Sequence, residues 1–141
     1  MSTWVAGVET PVSVLDSLKT ANTSYSYSGQ LRGIMYDGSN MATINQYSSS
    51  VNFTVNFGSG TVTGGSIKAV SDLGNISSSL SGNMDTTKNL LQAAGTGDTA
   101  GHSASIVGKI YGPEAQQAAG VFKASNGAGL NAAGVFKASK Q

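Results

Sequence analysis

The chain has 141 residues and a formal net charge of +1, with 39% hydrophobic and 11% charged residues, 19 glycines and no cysteine. One domain of this length buries a core without covalent staples, and the missing thiols exclude a disulfide scaffold, thiolate catalysis and cysteine-ligated zinc or iron–sulfur sites. Scattered Lys and Arg supply no basic field for nucleic acid, the hydrophobic content argues against charge-driven disorder, and the apolar runs fall far short of the ~20 residues of a membrane helix.

The opening MSTWVAGVETPV has neither a basic n-region nor an apolar h-region. No signal peptide is expected there, and Met1 reads as a start within a longer chain. Residues 4–8 form a short apolar lead-in, expected to be extended. From Thr10 to Lys19 the signals are helical. Thr10 is placed to cap, Pro11 suits a first turn because its missing N–H would be unsatisfied anyway, and Lys19 suits the C-terminal dipole. Val14, Leu15 and Leu18 share one face, which suits a helix laid over a barrel end.

From Thr23 the period changes to two. Tyr25, Tyr27, Gly29, Leu31, Gly33 and Met35 fall on one face of a strand, and Tyr36 to Asn40 reads as a turn. Val51 to Phe57 alternates cleanly, placing Val51, Phe53, Val55 and Phe57 toward a core. Gly58-Ser59-Gly60 turns the chain into a strand over 61–70. A turn at 72–75 leads to a weaker strand over 76–84. The stretch 86–94 contains helix formers, but the regular strand spacing around it predicts β. Gly95–Gly101 is an exposed loop, and Ser103–Tyr111 a strand broken by Gly108. The octapeptide AAGVFKAS then occurs twice, at Ala118–Ser125 and Ala132–Ser139, around a Gly/Asn-rich turn, which predicts a closing β-hairpin.

About eight strands joined in sequence by short Gly-rich turns suit an all-β fold, an eight-stranded antiparallel up-and-down β-barrel with one short N-terminal helix. The chain reads as a single domain over 1–141, with the lead-in and helix in 1–22 and the barrel in 23–141. Mid-strand glycines fit the tight coiling of a small barrel.

The segment Gly108-Lys109-Ile110-Tyr111-Gly112-Pro113-Glu114-Ala115, the strand Ala119-Gly120-Val121-Phe122 and a last Gly134-Val135-Phe136 strand ending in Lys140-Gln141 together resemble transferrin-binding protein B-like β-barrel domains. The opening Val5-Ala6-Gly7-Val8-Glu9-Thr10-Pro11, followed by Tyr27-Ser28-Gly29, looks like barrel domains of the same type in large bacterial surface proteins. The resemblance implies an eight-stranded barrel, an extracellular or outer-membrane surface location in a Gram-negative bacterium, and binding rather than catalysis. Members capture host transferrin, haem carriers or complement regulators, or serve as barrel modules of larger surface proteins. A lipidated N-terminal Cys and a separate handle domain, present in the transferrin receptor lipoproteins, have no counterpart here. The resemblance therefore transfers the fold and not the ligand.

His102 is the one histidine, with no Cys, His or carboxylate at ligand spacing, so no metal site is expected. His102 and Tyr111 are the residues to consider for a haem contact, against the plainer reading of an exposed loop histidine; no cofactor is otherwise expected. No Gly-x-Ser-x-Gly elbow orients any of the abundant serines, so no catalytic residue is assigned. Asp37 and Asp98 lack neighbouring carboxylates and read as turn caps rather than calcium ligands. Candidate partner contacts are Tyr25, Tyr27, Tyr36, Asn126 and Leu130, with the loops Asp37–Tyr47, Gly95–Gly101 and Asn126–Asn131, because loops on a rigid scaffold carry recognition. Two functional readings follow. One is a non-enzymatic binding module for a host protein or a small nutrient ligand such as haem. The other is a structural, self-associating module of an adhesin, envelope protein or extracellular filament.

Overall fold

The computed structural model describes residues 8–97 and 101–141. Helix α1 (Val12–Thr20) leads into β1 (Ser24–Tyr36), β2 (Met41–Thr43), β3 (Ser50–Asn56), β4 (Thr61–Ser71), β5 (Gly74–Asp85), β6 (Leu90–Thr96), β7 (Ser103–Tyr111), β8 (Gln117–Ser125) and β9 (Asn131–Lys140). All strands but β2 pair antiparallel in chain order, and β9 returns to β1, from Tyr27 opposite Lys140 to Tyr36 opposite Asn131. The sheet closes, so the expected eight-stranded barrel forms and removes its own edges.

The long β1 explains the extra strand. Its far edge from β9 is shared: Ser24–Gly29 pairs with β3, and Ile34–Tyr36 pairs with β2. The segment between β2 and β3 fills the gap left in the ladder. Ile44 N–H donates to Gly33 O at 2.9 Å and Asn45 N–H to Val70 O at 2.8 Å, while Val70 N–H donates to Ser49 Oγ at 2.9 Å.

Strict alternation sends one face of every strand inward, and large side chains fill the lumen. Tyr27 stacks on Phe53 with ring centroids 5.5 Å apart, and Phe53 meets Phe136 edge-on at 6.2 Å. Leu31, Met35, Leu80, Leu91, Ile106 and Phe122 complete the fully buried set. Each such aliphatic or phenyl group contributes about 1.5–3 kcal/mol of burial. At one end α1 seals the barrel with Leu15, which is buried, and Leu18, which is half-buried. At the opposite end Leu130 and Leu73 pack down onto the core, with Leu130 against the backbone of Gly74.

The repeated octapeptide pairs with itself. Val121 lies opposite Val135, Gly120 opposite Phe136, Phe122 opposite Gly134, and Ala118 opposite Ala138, so a local two-fold passes between the valines. One peptide written twice in an antiparallel pair places each copy's glycine beside the other's phenylalanine. The glycines are needed there, because a Cβ on Gly134 would stand 2.0 Å from the Arg32 carbonyl oxygen and 2.7 Å from the Gly33 Cα.

Four expectations change. Thr10 does not cap α1: it is buried and donates from its backbone N–H to Ile110 O and from its hydroxyl to Gly112 O, pinning the lead-in to the end of β7. The stretch 86–94 is divided, with a turn through Asn89 (φ +50°) and β6 starting only at Leu90. Gly108 does not break β7; the register runs unbroken through it, and it is the point of close approach to Gly120. Within the expected 37–47 loop, Met41–Thr43 forms β2. The expected extended lead-in lies outside the described residues except for Val8, as does Asp98.

Candidate partner-binding surface

A filled lumen turns attention to the outside. The strand connections sort into two ends. The α1 end carries the turns after β3, β5 and β7; the opposite end carries those after β1, β4, β6 and β8. His102 and Tyr111 flank the two ends of β7, about 30 Å apart at strand rise. One iron atom cannot take both as ligands. His102 Nδ1 accepts from Ser77 N–H at 3.3 Å, and Tyr111 pairs with Gln117 and bridges to Glu9. Among the described residues no three His, Asp or Glu side chains converge as a metal site.

The candidate contact residues separate as sharply. Tyr27 is interior, with its hydroxyl donating to Ala115 O at 2.7 Å, so it presents nothing to a partner. Burial, and secondarily the nearby Tyr25, pushes the Tyr27 phenol well above its ordinary range. Leu130 is likewise in the core, as the plug of its end. Tyr25 is half-buried at the α1 end, edge-on to Phe57 at 5.7 Å, with the Lys140 ammonium 4.3 Å above its ring. Asn126 organises its own turn, its Oδ1 accepting from Ala128 N–H and Leu130 N–H. Tyr36 alone of the five is a large side chain open to solvent, at 40% exposure.

Tyr36 belongs to a cluster. Ile34 and Met41, the latter 68% exposed, line one shallow concavity with it on the β1–β2 hairpin, while Tyr47, 83% exposed, borders a different one beside Arg32 and Thr43. The hairpin turn is held by Asp37, whose Oδ1 accepts from Ser39 N–H and Asn40 N–H; those bonds, Asn40's foremost, hold its carboxyl below the usual range. Contiguous exposed apolar groups of this kind mark interaction sites. Sequence reading found Tyr36 and the loop, and alternation along β1 sets Ile34 on the face opposite Leu31 and Met35, but it does not single out Ile34, whose place beside Met41 is set only once β2 folds back on β1. From Tyr36 a groove of about 470 Å³ runs across the outer wall past Ala133, Lys123, Ser105 and Ala94.

Comparison with known proteins agrees with this geometry. The family model described as the C-lobe and N-lobe β-barrels of transferrin-binding protein B matches residues 19–140. No curated protein sequence matches. Among solved structures, transferrin-binding protein B from serogroup B Neisseria meningitidis superposes with a TM-score of 0.68 at 20% identity, over 96% of this chain and 28% of that one. A variant of transferrin-binding protein B from Haemophilus parasuis gives 0.64 at 20% identity, over 96% and 29%. A surface lipoprotein gives 0.53 at 17% identity, over 85% and 62%. The chain thus spans less than a third of these two transferrin-binding proteins. It belongs to the family of β-barrels that form the C-lobe and N-lobe of transferrin-binding protein B.

Proposed function

We propose that the chain is a non-enzymatic binding module on the outer surface of a Gram-negative bacterium, taking a host protein of the transferrin type. The observation that carries this reading is the exposed cluster Ile34, Tyr36 and Met41 at the end of the barrel opposite α1, on a fold whose lumen is filled. A filled lumen favours a macromolecular partner over a small internal ligand. Aromatic and Met side chains are enriched where proteins meet, because they bury large area at low entropic cost. Membership of the barrel family supports surface display, and the solved relatives include a protein described as a surface lipoprotein.

Biolayer interferometry against iron-loaded and iron-free serum transferrins from several mammals tests the reading. Saturable binding that falls at least tenfold in a Tyr36→Ser/Met41→Ser variant of unchanged melting temperature supports it. No response from any transferrin up to about 100 μM, a few kcal/mol short of specific recognition, would overturn it.

A further inference from the structure

The outer wall is not uniform. Around β3, β4 and β5 the outward positions are small and polar: Asn52 faces Ser66, Ser66 faces Ser79, and Thr54 faces Thr63. Across β7, β8 and β9 the outward row is instead Val107, Val121 and Val135, directly opposite one another and 42%, 53% and 38% exposed. The row spans about 10 Å, two strand spacings. Beside it, toward the end opposite α1, the next outward row is Ala94, Ser105, Lys123 and Ala133, which makes the groove already described. A ridge of β-branched side chains thus borders a trough of small ones.

The strand positions of this wall carry charge of one sign. Lys123 and Lys137 flank the valine pair at positions related by the local two-fold, each one strand step along and across from a valine. Lys109 is a further outward residue of β7, two positions from Val107 toward the α1 end, and its ammonium pairs with Glu9 at 3.5 Å. No carboxylate occupies an outward position of β7, β8 or β9.

We propose that this wall is a docking face for a partner protein whose contact surface is apolar at the centre and carboxylate-rich at the rim. The proposal rests on the reading of the chain as a binding module and adds a second surface with its own chemistry, which adjoins the first where Tyr36 and Lys123 line one groove. Valines seated in a partner's apolar centre gain burial, while Lys123 and Lys137 steer approach and reject basic surfaces. A second copy of the chain fits poorly, since stacking two such walls sets lysine against lysine. A bilayer fits poorly too, because a flat lipid surface leaves the trough beside the ridge unfilled.

A random dodecapeptide library displayed on phage, panned on the whole chain, tests this without knowledge of the natural partner. The expected peptides carry an apolar core flanked by Asp or Glu. Their affinity falls at least tenfold on Val121→Glu and on Lys123→Glu/Lys137→Glu, and holds on Met41→Ser, which lies outside the groove. Both wall changes are at surface positions, and the lysine pair serves if Val121→Glu melts early. Selection of no peptide, or of peptides indifferent to both wall variants, would overturn the proposal. So would lysine-dependent sedimentation with phosphatidylcholine/phosphatidylglycerol vesicles in place of peptide binding, which would make the face a lipid contact. Transferrin binding through Tyr36 and Met41 can survive failure here, and wall-directed peptides can appear when no transferrin binds, so the two readings fail separately.

Discussion

Tyr27 holds Ala115 across the α1 end of the barrel: the phenolic hydroxyl donates to the Ala115 carbonyl at 2.7 Å, and Ala115 is a fully buried, non-glycine residue at φ +60°. A left-handed alanine costs about 1–2 kcal/mol and persists only where its surroundings fix it. The hydrogen bond is the fixing contact.

Tyr27→Phe removes that donor and leaves a buried carbonyl unpaired, a loss of about 1–3 kcal/mol in urea unfolding at neutral pH. The pH dependence has a definite sign. The unfolded phenol ionises near pH 10, whereas burial raises the folded one, so the stabilisation is complete below about pH 10 and is lost as pH rises toward the folded value. Wild-type unfolding midpoints measured from pH 8 to 11 should fall more steeply at the alkaline end than those of Tyr27→Phe. Parallel slopes would contradict this.

Asn89 stands in for a strand that has turned away. Its Nδ2 donates to Ile110 O at 2.9 Å and its Oδ1 accepts from Ile110 N–H at 2.8 Å, while its own backbone sits at φ +50°. Asn89→Ala loses both bonds and keeps the strain, for roughly 2–4 kcal/mol. Asn89→Gly loses the same bonds but relieves the backbone, so it should be the more stable of the two by about 1 kcal/mol despite glycine's freer unfolded chain. Thermal melts of the pair decide it.

Gly134→Ala would drive a methyl into the Arg32 carbonyl, which is backbone and cannot step aside. A loss of about 1–3 kcal/mol is expected, as for other overpacked sites, against near neutrality for Ala133→Ser next door on the outer face. A measured urea midpoint for Gly134→Ala equal to wild type would show that the two strands can part there.

Asp85 caps its turn by accepting from Thr87 Oγ1 at 2.6 Å, Thr87 N–H at 2.9 Å and Lys88 N–H at 3.2 Å, and these bonds, the hydroxyl's first, depress its pKa. A depressed carboxyl lends stability above its unfolded pKa near 4, and that contribution is lost as pH falls through the lower folded value. Asp85→Asn keeps the acceptor oxygen without the charge. Its acid unfolding curve between pH 5 and 2 should be flatter than the wild-type curve.

Strand existence was legible because alternation is a local property: Val51, Phe53, Val55 and Phe57 announce one face, and all four are buried. What failed was the assignment of polar side chains to partners far away in sequence. Thr10 has every local mark of a cap, yet Gly112, brought alongside by barrel closure, takes its hydroxyl instead. Tyr27 and Tyr25 share a strand face, but only Tyr27 reaches under the Gly112–Gln116 connection, a fact set by strand tilt. Leu130 looks like an exposed turn residue, because nothing near it says that Gly74 leaves room for it. Alternation sets Ile34, Val121 and Val135 opposite the core face, but that Val107, Val121 and Val135 stand in one row across three strands depends on inter-strand register.

Closure by β9 on β1 has a kinetic consequence. The paired residues in that ladder lie about a hundred positions apart, so none of its hydrogen bonds can form until nearly the whole barrel sequence is available. Every other ladder joins strands that follow one another in the chain, or, for β1 and β3, are separated only by β2 and its loops. Such a chain collects local hairpins early and its longest-range contacts in a single late step, which places it among slow-folding, high-contact-order proteins. Until that step β1 and β9 both offer open edges, and the octapeptide shared by β8 and β9 makes each a plausible-looking mate for the other's site. The interval before closure is therefore when this protein is most exposed to mispairing.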